Sequence, residues 1–225
     1  MPGTEPRRRV HRPAEDRRRE IADAALRVIA ARGLGQFTSL AIAAEVGVTD
    51  AALFRHFPSK DAIVDAAIDR VEELLFEGFP PQAEDPIDRL GMFFLQRVSV
   101  RRQHPGISSL VATDELGKAG SERALRRVQG FRRRSLEFLR ACLEDAGRRG
   151  LLTPGLGIDE AVVIVLGALL ALARLPADAD AGAPLGPRVW STLERFLRGP
   201  ATGSRSAARR PPRPRGRITP KGVEP

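Results

Sequence analysis

Apolar side chains recur every three or four residues along most of the chain and seldom alternate singly with polar ones, a periodicity that predicts helices and no sheet. Ile21, Ala25, Val28 and Ile29 set a first helix over 15–32, with Gly33 as its left-handed stop. Thr38 offers a hydroxyl cap to a second helix, which runs to Val46 and closes on Gly47. Thr49 caps a third over 50–56, ended by the extended geometry that Pro58 imposes on Phe57. Ser59 caps a fourth, with Asp61 complementing the dipole of its first turn and an apolar stripe running from Ile63 to Leu75. The segment GFPPQAEDP, 78–86, breaks the pattern and is the expected domain boundary. Further helices are expected at 86–103, 105–116, 121–149, 158–174 and 185–198. In the longest, Leu125, Val128, Phe131, Phe138, Leu139, Cys142 and Leu143 should face inward and a dense arginine set outward.

Composition narrows the class. A chain of 225 residues can hold one large domain or two modest ones with a buried core, and the absence of Tyr agrees with an all-α fold. A single cysteine excludes an internal disulfide and a multi-cysteine zinc site, so Cys142 reads as a core residue. The first apolar series is interrupted by Asp23 and Arg27, which excludes a secretory leader here. The most apolar run, Ala161 to Ala173, is 13 residues long, too short to cross a bilayer, and reads as a helix buried on nearly all sides. These features place the chain in the cytoplasm, with no membrane partner.

Charge matters once it is located. Residues 1–20 carry seven Arg against four acids, and residues 201–225 carry six Arg and one Lys against one acid. The body, 21–200, has 23 basic and 23 acidic residues and is neutral. Residues 1–14 and 199–225 are too poor in apolar side chains to fold and read as disordered basic arms suited to a polyanion.

The third helix is too short to build a core. Leu53 and Phe57 can anchor it while Asp50, Ala51, Ala52, Phe54, Arg55 and His56 remain on its other face. Ala43 and Gly47 allow it to cross the second helix closely, with Val48 filling the gap. The result is a helix-turn-helix whose last helix suits the major groove of B-DNA. Thr38, Thr49 and Lys60 stand at or beside helix N-termini, where phosphates bind.

These segments, EIADAALRVIAARG (20–33), FTSLAIAAEVGVT (37–49) and ALFRHFPSKDAIVDAAI (52–68), resemble the DNA-binding domain of TetR-family transcriptional repressors. The resemblance implies phosphate contacts from Thr38, Thr49, Phe54, His56 and Lys60. It implies base contacts from Asp50, Ala51 and Ala52, with Leu40 as a further candidate. Three positions depart from the family pattern. Phe54 lacks the hydroxyl of the usual Tyr, Leu40 is apolar, and Asp50 is acidic and suited to accept from cytosine N4. Within 38–60, Arg55 and Lys60 balance Glu45 and Asp50. DNA affinity should therefore lean on Arg7, Arg8, Arg9, Arg12, Arg17, Arg18 and Arg19.

The expected architecture is all-α. An N-terminal three-helix helix-turn-helix domain (15–77) precedes a helical ligand-binding and dimerisation domain (86–198). The expected function is a repressor that binds a palindromic operator in double-stranded DNA as a homodimer and is released by an unidentified small-molecule effector. Helices 158–174 and 185–198 would form the self-complementary face. His104 reads as a helix-end residue, Arg132, Arg133 and Arg134 as a solvated face from which one could meet an acidic ligand, and Phe93, Phe94, Phe131 and Phe138 as core. No paired His and Cys, glycine-rich phosphate loop or serine elbow points to an enzyme, and no cofactor or metal is expected. The alternative is an architectural protein that holds nucleic acid non-specifically through its tails.

Overall fold

Thr38, Thr49, Ser59, Asp85 and Ser121 each stand one residue ahead of a helix, and a side-chain oxygen of each accepts a backbone N–H from the first turn. Such caps satisfy donors that a helix leaves open at its start. They delimit α2 (Ser39–Val46), α3 (Asp50–Phe54), α4 (Lys60–Phe76), α5 (Pro86–Gln103) and α8 (Glu122–Arg148). The others are α1 (Ala14–Arg32), α6 (Ile107–Ala112), α7 (Glu115–Lys118), α9 (Ile158–Arg174) and α10 (Leu185–Arg198). The computed structural model describes residues 14–104, 107–175 and 184–199, and among them there is no strand. The proposed basic arms lie outside the described residues, apart from Ala14, which already belongs to α1, and Gly199.

Two helices differ from expectation. The third ends at Phe54 rather than at 56, because Arg55 is its C-cap and the His56 N–H donates to the Leu53 carbonyl at 3.0 Å, a tighter closing turn. The helix expected over 105–116 is two pieces. Asp114 adopts φ 60°, a left-handed conformation that Asp tolerates, and this turns α7 away from α6 and onto α8.

Apolar side chains collect in two clusters. The first joins α1–α4 to α6, α7 and the N-terminal half of α8, where Ile21, Leu53, Phe57, Ile68, Leu116 and Val128 have no exposed surface to speak of. The second joins α5, the rest of α8, α9 and α10 around Leu90, Phe94, Leu143 and Leu197. The 27-residue α8 runs through both, and Phe79 packs on both. Close approach of α10 to α5 depends on Gly91, since a Cβ there would lie 2.7 Å from the Trp190 ring. The apolar run in α9 is not enclosed by the other described residues. Ala161, Val162, Val165 and Leu172 are buried, but Val163, Ile164 and Leu170 form an exposed stripe. A helix with apolar residues on every face needs a cover on every face, and the described residues supply it on one side only.

Candidate nucleic-acid interface

Local chemistry builds the α2–α3 corner. Gly47 sits at φ 75°, ψ 36°, and its N–H returns to the carbonyls of Ala43 and Ala44. The Val48 N–H donates to Ala43 at 2.9 Å, completing the turn that reverses the chain. Ala43 is buried, its small side chain permitting the crossing, and Leu53 and Phe57 are each 0% exposed. Arg18 of α1 closes the far end of α3. Its Nη1 donates to the His56 carbonyl at 2.7 Å, and its guanidinium lies 4.4 Å from the Phe57 ring centre. A cation there meets the negative end of the short helix.

What remains faces outward. Thr38, Leu40, Thr49, Ala51, Phe54, Arg55 and Lys60 are exposed, and Asp50, Ala52 and His56 are half-buried. Leu40 at 70% and Phe54 at 41% exposure are large apolar groups held in solvent, on α2 and α3. The Thr38 and Thr49 hydroxyl oxygens accept from Ala41 and Ala52 N–H at 3.1 and 3.2 Å, which leaves each O–H proton free to donate. The Lys60 ammonium rests 4.8 Å from the Phe37 ring centre, at the first turn of α4. Asp50 Oδ1 is shielded from water and accepts no hydrogen bond. The structure thus brings all ten residues expected at the site to the α2, α3 and α4 N-terminal region, on the side away from the core.

The arginines of the expected arm divide. Arg7, Arg8, Arg9 and Arg12 lie outside the described residues, whereas Arg17, Arg18 and Arg19 belong to α1. Arg17 pairs with Glu20 at 2.7 Å and Arg19 lies 3.8 Å from Glu73, while Arg18 is the clamp just described. No local pattern marks that clamp, because 38 residues separate Arg18 from its acceptor.

A second concavity, about 550 Å³ in volume, opens between α5, α6, α8 and α9. Apolar side chains such as Phe93, Leu139 and Leu169 form most of its wall. Its described charged lining is one-sided, Arg97, Arg101, Arg132, Arg133 and Arg174 with no Asp or Glu, beside the neutral Gln129 and Ser135. The arginines of α8 expected to form a solvated face are therefore partly structural. Arg132 donates to the Ala112 carbonyl and to Asp114, each at 3.0 Å, and Arg134 stacks 4.0 Å from the Phe76 ring centre. Among the described residues no group of His, Cys, Asp and Glu could hold a metal ion, and no helix is long and apolar enough to cross a membrane.

Comparison with known proteins agrees with this geometry. The family model for bacterial regulatory proteins of the tetR family matches residues 21–67. A relative from Marinomonas sp. (strain MWYL1), the nucleoid occlusion factor SlmA, is 30% identical over 146 residues, covering 64% of this chain and 74% of its own. The ketosteroid transcriptional regulator KstR2 of Mycobacterium tuberculosis superposes with a TM-score of 0.66 at 19% identity, over 85% of this chain and 98% of its own. AibR, in complex with isovaleryl coenzyme A and operator DNA, superposes with a TM-score of 0.65 at 18% identity, over 81% of this chain and 98% of its own. The chain belongs to the TetR family and is a DNA-binding regulator of that family.

Proposed function

We propose that the chain is a repressor that binds a palindromic operator as a homodimer and leaves it when a small molecule occupies the cavity between α5, α6, α8 and α9. The observation that carries this reading is the division of α3. Leu53 is wholly buried, while Ala51, Phe54 and Arg55 are exposed on the opposite side of a five-residue helix. In this reading Asp50, Ala51, Ala52 and Leu40 face bases, with Leu40 suited to a thymine methyl and Asp50 to cytosine N4. Thr38, Thr49, His56 and Lys60 hold phosphates, Arg55 adds charge, and Phe54 packs on the sugar–phosphate wall. The arginines at 7, 8, 9 and 12 supply further phosphate contacts.

Five residues of helix read only a few base pairs, so useful specificity requires two copies spaced by a helical turn of DNA or a multiple of it. The exposed stripe Val163, Ile164 and Leu170 on α9, with Phe196 on α10, suits a symmetric four-helix contact. Residues 15–77 then serve DNA, and residues 86–198 serve ligand and dimer. The isovaleryl coenzyme A named with AibR supports an effector in such a fold. A second reading, a role in nucleoid occlusion, is favoured by the identity to the Marinomonas protein. The two readings part on whether a small molecule releases the DNA.

Selection of bound sites from a random DNA pool tests the proposal. One palindromic site should emerge and survive an excess of unrelated DNA. Binding of all sequences alike, lost uniformly with salt, would establish the architectural alternative.

A further inference from the structure

The cavity's two α5 arginines are placed as a ligand site would place them. Arg97 and Arg101 are four residues apart and so share one face of the helix. Arg101 is 8% exposed, and its Nε is buried without a hydrogen-bond partner. Arg97 is flanked by the rings of Phe76 and Phe93, at 4.8 and 4.5 Å from their centres. Its hydrogen bonds go to the Leu75 carbonyl, to Ser135 Oγ at 3.2 Å and to Gln96 Oε1 at 3.4 Å, all neutral acceptors. Burial, and then the like charge of Arg134, push its guanidinium down to about 9. It remains charged at neutral pH, but without a counter-charge among its partners.

Leu75 lies in the last turn of α4, the helix that follows the DNA-facing corner. Its carbonyl is one of those a helix leaves open at its end. Gln96 helps, donating to the Leu74 and Glu77 carbonyls at 3.4 Å each, so α5 caps α4 through two adjacent side chains. Arg97 therefore belongs both to the cavity wall and to the end of α4.

Resting on the effector reading above, we propose that the cavity takes an amphiphilic organic anion, its apolar chain among Phe93, Leu139 and Leu169 and its acidic head on Arg97 and Arg101. A buried guanidinium holds an anion more strongly than a neutral carbonyl. Arrival of the head group draws Arg97 off the Leu75 carbonyl, uncaps α4 and alters the seat of the α2–α3 corner. The ligand shifts the protein only as far as it prefers the uncapped form. The volume of about 550 Å³ suits such a molecule. A neutral or cationic amphiphile would leave the buried Arg101 Nε without an acceptor.

Calorimetric titration of the full chain with decanoate, decyl phosphate, decanol and decylamine tests this. Decanoate or decyl phosphate should bind at least about tenfold more tightly than decanol, the preferred head distinguishing a carboxylate from a phosphate monoester, and decylamine should bind least. Arg101→Met should lower affinity for the preferred anion by about tenfold or more and leave decanol unchanged. Arg97→Met, which leaves α4 without this cap whether or not the anion is present, should bind the selected DNA site more weakly than wild type, and adding the anion should lower that binding little further. Equal binding of decanoate, decyl phosphate and decanol, or an Arg101→Met protein with undiminished anion affinity, overturns the proposal. A protein that holds one DNA site but ignores both anions overturns it too, while leaving the regulator reading intact. Anion binding by a protein without DNA preference supports the site and removes the regulator reading.

Discussion

At the start of α5, Arg198 donates to Asp85, Asp88 and Glu194 at 2.8, 2.6 and 3.0 Å, whereas towards the other end of the same helix Arg97 donates only to neutral oxygens. Both guanidinium groups join α5 to another helix. At the first end the charge is compensated inside the chain, Trp190 fills the space against Gly91, and Asp85 also caps α5. At the second end a cavity replaces the packing, and its described lining holds five arginines and no acid, although Arg132 reaches Asp114 beside it. Desolvating a charge is costly unless an opposite charge or strong hydrogen bonds offset it. The first end is a structural joint, and the second keeps a cost that a ligand can remove.

The joint can be broken most severely through its apolar part. Trp190→Ala leaves a hole between α10 and α5 and should destabilise the chain by about 3–5 kcal/mol, read by chemical denaturation. Arg198→Met comes next. It strands three carboxylates together, and because its side chain is 30% exposed the loss is discounted for solvent screening to about 1–2 kcal/mol at neutral pH. The sign of its pH dependence follows from Asp85. Burial pushes that carboxyl up, but the Arg198 hydrogen bond, the Ile87 and Asp88 backbone N–H groups and the Arg198 charge together hold it below its ordinary 3.8. A depressed carboxylate stabilises the fold above its unfolded value and ceases to do so as pH falls through its folded one. The gap between wild type and Arg198→Met should therefore narrow below pH ~4, and a constant gap would assign the effect to packing alone.

Arg97→Met should behave differently. It forfeits the cap on α4 but removes a half-buried cation that lacks a counter-charge, so stability should change by less than about 1 kcal/mol in either direction. A loss as large as that of Arg198→Met would show both ends of α5 to be structural joints, and the contrast would disappear.

Most of the helical framework is legible in the sequence. Helices 86–103, 158–174 and 185–198 end where expected because their limits carry Pro86, Gly157, Pro184 and Gly199, which act locally. The break at Asp114 was not legible, since apolar spacing continues across it and only the packing of α7 on α8 decides where the chain turns. The outward face of α3 could be read from Leu53 and Phe57 alone, because a short helix with two anchors has one side left. The Arg18 clamp and the cavity arginines could not. Arg101 sits in the last turn of α5, where a basic residue is expected simply to oppose the helix dipole. Its burial is a tertiary fact.

The smallest effect concerns Asp50, whose Oδ1 is shielded and accepts nothing. Its position in the first turn of α3 favours a negative charge by about 0.3–1 kcal/mol, and on this half-buried side chain the shielded oxygen costs about 1 kcal/mol, the low end for an unpaired acceptor. Asp50→Ala should consequently leave stability within about 0.5 kcal/mol of wild type, the two contributions cancelling. Its consequence should appear on DNA. If Oδ1 is held in reserve for a cytosine amino group, the substitution should relax preference at one base pair per half-site by about 1–3 kcal/mol and leave the others unchanged. Substantial stabilisation without altered base preference would make the unpaired oxygen a local defect of α3. A relaxed base would place it with Arg97 and Arg101, groups whose partner arrives from outside the chain.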